Sequence, residues 1–259
     1  MKFKKRFLLF IISLSLLFSG CANISIPNNA NGAFENFTRT LFQQDVASST
    51  LGLHYTLQNP AAYGIVEPPV TFGSFDTDAT ARLVALENCQ ATLEKFPYKS
   101  LSSKNQITYD VLSSYLNTAK EGVSYILYEE PLSPLTGIHA QLPVLLAEYS
   151  FYSKEDVDTY LKLIETTPKY FSSLVEFEQQ KAEAGLFMAD SLLEEVLEQC
   201  NAFLTMGEEN YLISTFEERL DALTDLSEKE KDDYISQNKK LLNSAILPAY
   251  EQLVSSLSA

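Results

Sequence analysis

Apolar residues recur at intervals of three and four along most of the chain, which is the spacing of one face of an α-helix. Phe34, Phe37, Leu41 and Phe42 form the first such face. No stretch alternates polar and apolar residues for long enough to indicate a β-sheet, and no unit of 20 to 50 residues repeats. The pattern therefore predicts an all-α protein, with a single irregular domain of eight to ten helices over residues 33–259.

Capping residues and prolines predict where several helices begin and end. Ser103 with Gln106 has the spacing of a capping box, in which two side chains satisfy free N–H groups at a helix start. Pro143 suits the first turn of a helix, where its missing N–H costs little. Further helix starts are predicted at Asp76 or Asp78, at Ser153, and at a second capping box of Ser227 with Glu230. Further helices are predicted from Thr167–Pro168 to Gly185, over Asp190–Leu204 and over residues 209–223.

Two segments rich in Pro and Gly, residues 61–75 and 129–141, are predicted to be loops. Binding residues often lie on such loops, and His54, Tyr55 and His139 are close to them in sequence. These three side chains are candidates for the lining of a cleft. Core packing and hydrogen bonds within the loops are the alternative explanation for them.

Glu148 lies in an otherwise apolar helical stretch that begins at Leu142. A carboxylate there must reach water or a hydrogen-bond donor, so Glu148 is a fourth candidate for the cleft lining. A structural hydrogen bond would explain it equally well.

The first residues of the chain are typical of an export signal. Residues 1–6 contain four basic side chains and no acidic one, and residues 7–18 are apolar apart from two serines. This apolar run is short of the roughly 20 residues that span a bilayer, whereas a basic start and a short apolar core are the features of a signal peptide. We expect residues 1–20 to be this signal.

Cys21 directly follows two small residues, Ser19 and Gly20, which suit a cleavage site. The five residues that end at Cys21 resemble the bacterial lipobox, whose cysteine is acylated and becomes the new N-terminus. Phe18 departs from that pattern, where a smaller aliphatic residue is usual. We expect Cys21 to be the lipid attachment site and residues 21–32 to be a flexible tether. An ordinary secretory signal is the alternative.

Charge limits the partners of the exported chain. Without the four basic residues of the signal, 15 basic residues stand against 34 acidic ones. So negative a chain repels phosphate backbones, which argues against nucleic acid as a partner. It would also be repelled by an anionic membrane surface, so attachment to the outer face of the bacterial cell membrane depends on the lipid at Cys21.

Recognisable catalytic patterns are missing from the sequence. The two histidines are 85 positions apart, and neither His nor Cys residues have zinc-ligand spacing. No phosphate-binding loop, nucleophile elbow or dinucleotide motif occurs. Cys89 and Cys200 lie among apolar helical positions, where burial is expected and a disulfide is the alternative. We therefore assign no catalytic residues, no metal ligands and no cofactor.

Several blocks in the expected order resemble bacterial domain-of-unknown-function family 885. The first is Leu53-His54-Tyr55-Thr56-Leu57, followed by Asn59-Pro60 and Tyr63-Gly64-Ile65. The others are Gly137 with Leu142-Pro143-Val144-Leu145-Leu146-Ala147-Glu148-Tyr149, then Asp156 to Leu161, Pro168-x-Tyr170, Phe177-Glu178 with Lys181 and Gly185-Leu186, and Pro248-Ala249-Tyr250 with Leu253. The resemblance runs from Ala33 to the end.

This resemblance implies a relationship to helical zinc metallopeptidases. Their zinc motif, a His-Glu opening that ends in Pro-Gly-His, lies in the C-terminal half of a chain about twice as long. No position here corresponds to those ligands, so zinc is implied only for the missing half. The resemblance implies that this chain is the N-terminal, metal-free half and that it is not an active enzyme alone.

Two hypotheses for the function follow. The first is a membrane-anchored lipoprotein that is inactive alone and pairs with a separately encoded C-terminal half. The alternative is a lipoprotein that binds a peptide or another small ligand. Under the first hypothesis, Tyr250, Leu253 and Leu257 near the end of the chain would form an exposed apolar patch that the missing half covers.

Overall fold

The computed structural model describes residues 29–259, and this part of the chain is helical without β-strands. The all-α prediction is confirmed, and the described residues contain ten α-helices. They are α1 (Ala30–Val46), α2 (Thr50–Thr56), α3 (Ala79–Leu93), α4 (Ser103–Gly122), α5 (Ile138–Glu148), α6 (Lys154–Glu165), α7 (Thr167–Glu183), α8 (Asp190–Leu204), α9 (Tyr211–Asp221) and α10, which joins Glu228–Leu241, a π-helical turn at Leu242–Ile246 and Leu247–Leu257. Short 3₁₀ turns lie at Pro60–Tyr63, Tyr98–Ser100, Val123–Tyr128 and Gly207–Glu209.

Most predicted helix boundaries agree with the structure. Ser153 and Ser227 begin capping boxes with Asp156 and Glu230, and Asp78 caps α3 by accepting a hydrogen bond from the Ala81 N–H group. Two details are wrong. The cap of α4 is Ser102, one residue before the predicted Ser103. Pro143 lies inside α5, because that helix already begins at Ile138.

Two main hydrophobic clusters divide the helices. The small core lies between α1, α3 and α4 and includes Phe34, Leu86 and Leu116. The large core is formed by α5 to α10. Cys89 is buried in the small core and Cys200 in the large one, so the two cysteines are not joined to each other.

The C-terminal segment of α10 is buried, so the expectation of an exposed apolar patch there is wrong. Tyr250 and Leu253 are 0% exposed and Leu257 is 9% exposed. The ring of Tyr250 lies between Phe171 of α7, at a centroid distance of 4.9 Å, and Phe203 of α8, at 4.6 Å. The apolar residues that were predicted to be exposed are covered by helices of the same chain.

The predicted signal peptide, Cys21 and most of the predicted tether lie outside the described residues. Helix α1 begins at Ala30, three residues before the predicted start of the domain. Within residues 29–259, no helix combines the length and the apolar character needed to cross a bilayer.

Candidate functional site

Three of the four candidate side chains meet where α2 packs against the end of α5. His54 and Tyr55 lie on α2, and Glu148 is the last residue of α5. The hydroxyl of Tyr55 donates to the Leu145 carbonyl at 2.8 Å, which fixes α2 against α5. We call these three residues, together with Tyr149 and Tyr152, the aromatic surface.

The imidazole of His54 is held on two sides. Its ring stacks on Tyr149, with 3.7 Å between centroids and 13° between planes, and Tyr152 lies beyond at 6.2 Å. Its Nε2 atom accepts a hydrogen bond from the Ser150 N–H group at 3.2 Å. That bond requires the neutral ring with its proton on Nδ1. Burial lowers the pKa of His54, and the nearby Asp156 opposes this effect.

Tyr55 and Glu148 face the solvent side of this surface. Tyr55 is 47% exposed, and the side chain of Glu148 is also exposed. Burial of the hydroxyl, followed by the Glu148 charge, raises the pKa of Tyr55 to about 12. Tyr55 is therefore a neutral hydrogen-bond donor at physiological pH, and Glu148 can bring a negative charge beside its ring.

Arg219 of α9 supports the backbone of the aromatic surface, a role that was not predicted from the sequence. Its Nη1 atom donates to the carbonyls of Leu146 at 2.9 Å and Tyr149 at 2.6 Å, which satisfies the open C-terminal end of α5. Its guanidinium also lies over the ring of Phe151, 4.5 Å from the centroid. The sequence feature that could have indicated this role is the position of Arg219 next to Leu220, on the apolar face of α9.

The N-terminal cap of α6 fixes the backbone at Tyr152. The Asp156 carboxylate accepts hydrogen bonds from the N–H groups of Tyr152 and Ser153, both at 2.9 Å. This cap fixes the backbone beside Tyr152, whose side chain is 69% exposed. The exposed ring of Tyr55, which lies near the Glu148 charge, makes this a surface suited to a cation, because aromatic faces attract positive charge.

His139 does not belong to the aromatic surface. It lies near the start of α5, nine residues before Glu148, which corresponds to about 13 Å along a helix. Its side chain is buried, and its Nε2 atom is 2.8 Å from Oε1 of Gln199. Burial lowers its pKa. His139 therefore packs in the interior, against Gln199 of α8.

The zinc ion that the family resemblance implies for the C-terminal half of longer relatives has no candidate ligand set among the described residues. Across residues 29–259, no three His, Cys, Asp or Glu side chains come together in a way that could hold a metal ion. At the aromatic surface, His54 already accepts a main-chain hydrogen bond through Nε2. We therefore derive no chemical step through a metal.

Residues 74–259 match the family described as "Bacterial protein of unknown function (DUF885)". The block Leu53–Ile65 lies before this matched region. No curated protein sequence matches the chain.

One solved structure, of a "putative lipoprotein" from Colwellia psychrerythraea, is similar to the fold, with a TM-score of 0.72 and 13% sequence identity. The similarity covers 91% of this chain and 41% of that protein, so the chain spans about two fifths of the length of its structural relative.

Proposed function

Because the chain belongs to the bacterial DUF885 family, we propose that it is an exported lipoprotein whose helical domain has no catalytic activity of its own. Lipid on Cys21 would hold it on the outer face of the cell membrane. The observation that carries the proposal is the lipobox-like sequence that ends at Cys21, directly after an apolar run too short to span a bilayer. The description of the Colwellia protein as a lipoprotein is consistent with this.

The proposed partner is a region equivalent to the part of the longer Colwellia protein that this chain does not match. The chain covers 41% of the Colwellia structure, so more than half of that protein has no counterpart here. In this proposal the metal-binding groups of a peptidase-like site belong to the partner, and the helices of the present chain form one side of the cleft.

Substitution of Cys21 tests the anchoring. Cys21→Ser removes the thiol that accepts lipid, so the variant should lose metabolic labelling with palmitate and leave the membrane fraction or remain unprocessed. Cys89→Ser is the matched control and should behave like the wild type, because Cys89 is buried in the small core. Equal labelling and membrane retention of Cys21→Ser would refute the anchor.

Zinc content and peptide hydrolysis test the absence of activity. The purified chain should contain less than one zinc per protein and show no turnover of peptide substrates. Stoichiometric zinc with turnover would refute this part of the proposal. Anchoring and inactivity are separate claims, so either can fail without the other.

A second candidate function is the binding of a peptide with a positively charged group at the aromatic surface. The exposed rings of Tyr55 and Tyr152, together with the exposed Glu148 near Tyr55, favour it. A peptide that binds only the folded state must raise the thermal unfolding midpoint. Lysine- or arginine-containing peptides should raise it in the wild type and less in Glu148→Gln, whereas no shift with any peptide would refute this function.

A further inference from the structure

A fully buried lysine lies at the contact between the two cores. Lys181 of α7 is 0% exposed, and the 3₁₀ turn Val123–Tyr128, which packs against α3 and α4, also packs against α7. The turn leads into Glu129 and Glu130. Arg82 of α3 contacts Glu129 at 3.5 Å, so the charged groups connect the small core with α7 of the large core.

The Lys181 ammonium has three oxygen neighbours. It donates to the main-chain carbonyl of Glu129 at 2.8 Å and lies 3.0 Å from a carboxylate oxygen of Glu130. The third neighbour, Oε2 of Glu178 on the same helix, is 4.0 Å away, which is too far for a hydrogen bond. Lys181 is therefore held by the segment after the turn rather than by its own helix.

Glu178 is the unusual member of this group. It is 2% exposed, and neither of its carboxyl oxygens has a hydrogen-bond partner in the described part of the chain. Burial raises the pKa of Glu178 to about 7, Lys181 lowers it and Glu130 raises it. With Glu178 protonated, Lys181 and Glu130 balance each other's charge, and Glu129 balances Arg82.

Other charged groups near α7 do not alter this balance. Helix α7 also packs against α6, against the π-helical turn Leu242–Ile246, which holds no charged residue, and against the last segment of α10. The charged residues at the end of α6, Lys162 and Glu165, are exposed, and so is Glu251, the charged residue of Leu247–Leu257. The groups that face Glu178 are thus Lys181, Glu130 and, one step further, the Glu129–Arg82 pair.

Ionisation of Glu178 places a second carboxylate, in addition to that of Glu130, near the single buried ammonium of Lys181. Glu130 and Glu178 then repel each other, and the side chain of Glu130, which is 57% exposed, can turn to water, whereas Glu178 cannot. The coupling is reciprocal. Because the Glu130 charge disfavours the ionisation of Glu178, ionised Glu178 weakens the hold of Glu130 on Lys181 by the same free energy.

We propose that Lys181 is the shared cation of a pH-dependent latch between the two cores. When Glu178 is protonated, Lys181 binds Glu130 and the Glu129 carbonyl and fixes the 3₁₀ turn against α7. When Glu178 ionises, Lys181 pairs with it along α7, and Glu129 and Glu130 are released. The residues that follow Glu130 stay attached to the large core, because Leu132 is buried there.

Hydrogen exchange at a fixed pH tests the latch. At pH 8.5, amides of residues 123–130 should exchange about tenfold faster in the wild-type full chain than in Glu178→Gln, which cannot ionise. At pH 5.5 the two proteins should exchange alike. Comparison at the same pH removes the intrinsic pH dependence of exchange, and Glu176→Gln, an exposed change on the same helix, should match the wild type at both values.

A second variant separates the latch from a general loss of stability. Glu130→Gln removes the ion pair between Glu130 and Lys181, so its residues 123–130 should exchange faster than in the wild type at pH 5.5 and should change less between the two pH values, while amides of α8 stay as protected as in the wild type. Equal exchange of wild type and Glu178→Gln at pH 8.5 would overturn the proposal. So would a pH response of the same size in Glu130→Gln and the wild type.

Discussion

The imidazole of His54 lies flat on the ring of Tyr149, with 3.7 Å between their centroids. Residue 54 comes from a seven-residue helix and residue 149 from the segment after α5, so this stack joins two distant parts of the chain. The main-chain N–H group of Ser150 donates to the same imidazole. The contact therefore depends on an uncharged histidine, and its pH dependence can be predicted.

Burial lowers the pKa of His54 below its ordinary value of 6.5. At His54 the unfolded chain then binds more protons than the folded one. The contribution of His54 to stability is therefore fully present above pH 6.5 and is lost as the pH drops through the pKa of the folded state. NMR titration should give a midpoint below 6.5 for the His54 ring. Since the chain has two histidines, His139→Gln leaves one titrating signal and assigns it; a midpoint above 6.5 would contradict the expectation.

Removal of Arg219 should destabilise the protein strongly. Arg219→Met leaves the Leu146 and Tyr149 carbonyls without their donor and removes the cation from the face of Phe151. We expect a loss of about 3 kcal/mol in the free energy of unfolding by urea. Arg219→Lys should recover less than half, because lysine has no planar guanidinium to lie over the Phe151 ring. The exposed neighbour Glu218→Gln should change stability by less than about 0.5 kcal/mol.

The sequence predicted helices better than it predicted which helices meet. Local signals such as the Ser153 and Ser227 capping boxes mark helix starts, because a cap involves residues only three apart. The burial of Tyr250 depends on Phe171 and Phe203, which lie far away in the sequence. Apolar spacing alone does not say whether a stripe is covered by the same chain or by another one.

The candidate site was predictable only in part, for the same reason. His54 and Tyr55 were predicted because they lie close to a loop rich in Pro and Gly, and Glu148 because it stands in an apolar helical stretch; the structure brings these three together. His139 was predicted from its closeness to the second such loop, but it lies at the other end of α5. Arg219 was missed because its role depends on two carbonyls about seventy positions earlier in the chain.

Glu178 should make the protein less stable at neutral and higher pH. Its pKa is raised from 4.5 to about 7, so the folded state binds more protons than the unfolded state between these values, and stability falls as the pH rises across that window. Glu178→Gln should therefore be more stable than the wild type by about 3 kcal/mol at pH 8.5. The difference should disappear near pH 4.5; a constant difference at both pH values would show that ionisation is not its cause.

The hydroxyl of Tyr250 explains how α5 tolerates a proline in its interior. In an α-helix the His139 carbonyl would accept from the N–H group of residue 143, but Pro143 has none. The Tyr250 hydroxyl donates to that same carbonyl at 2.6 Å, in a fully buried position. Two separate blocks of the family resemblance, one with Pro143 and one with Tyr250, are thus linked by a single hydrogen bond.

A double-mutant cycle tests this link. Tyr250→Phe keeps the ring but leaves the His139 carbonyl buried without a partner, which should cost about 1–3 kcal/mol in urea unfolding. In a Pro143→Ala background the alanine N–H group can take over that carbonyl, so the same Tyr250→Phe change should cost at least 1 kcal/mol less. The exposed Tyr63→Phe should be neutral in both backgrounds. Equal costs of Tyr250→Phe with proline and with alanine at position 143 would show that the hydroxyl does not compensate for the proline.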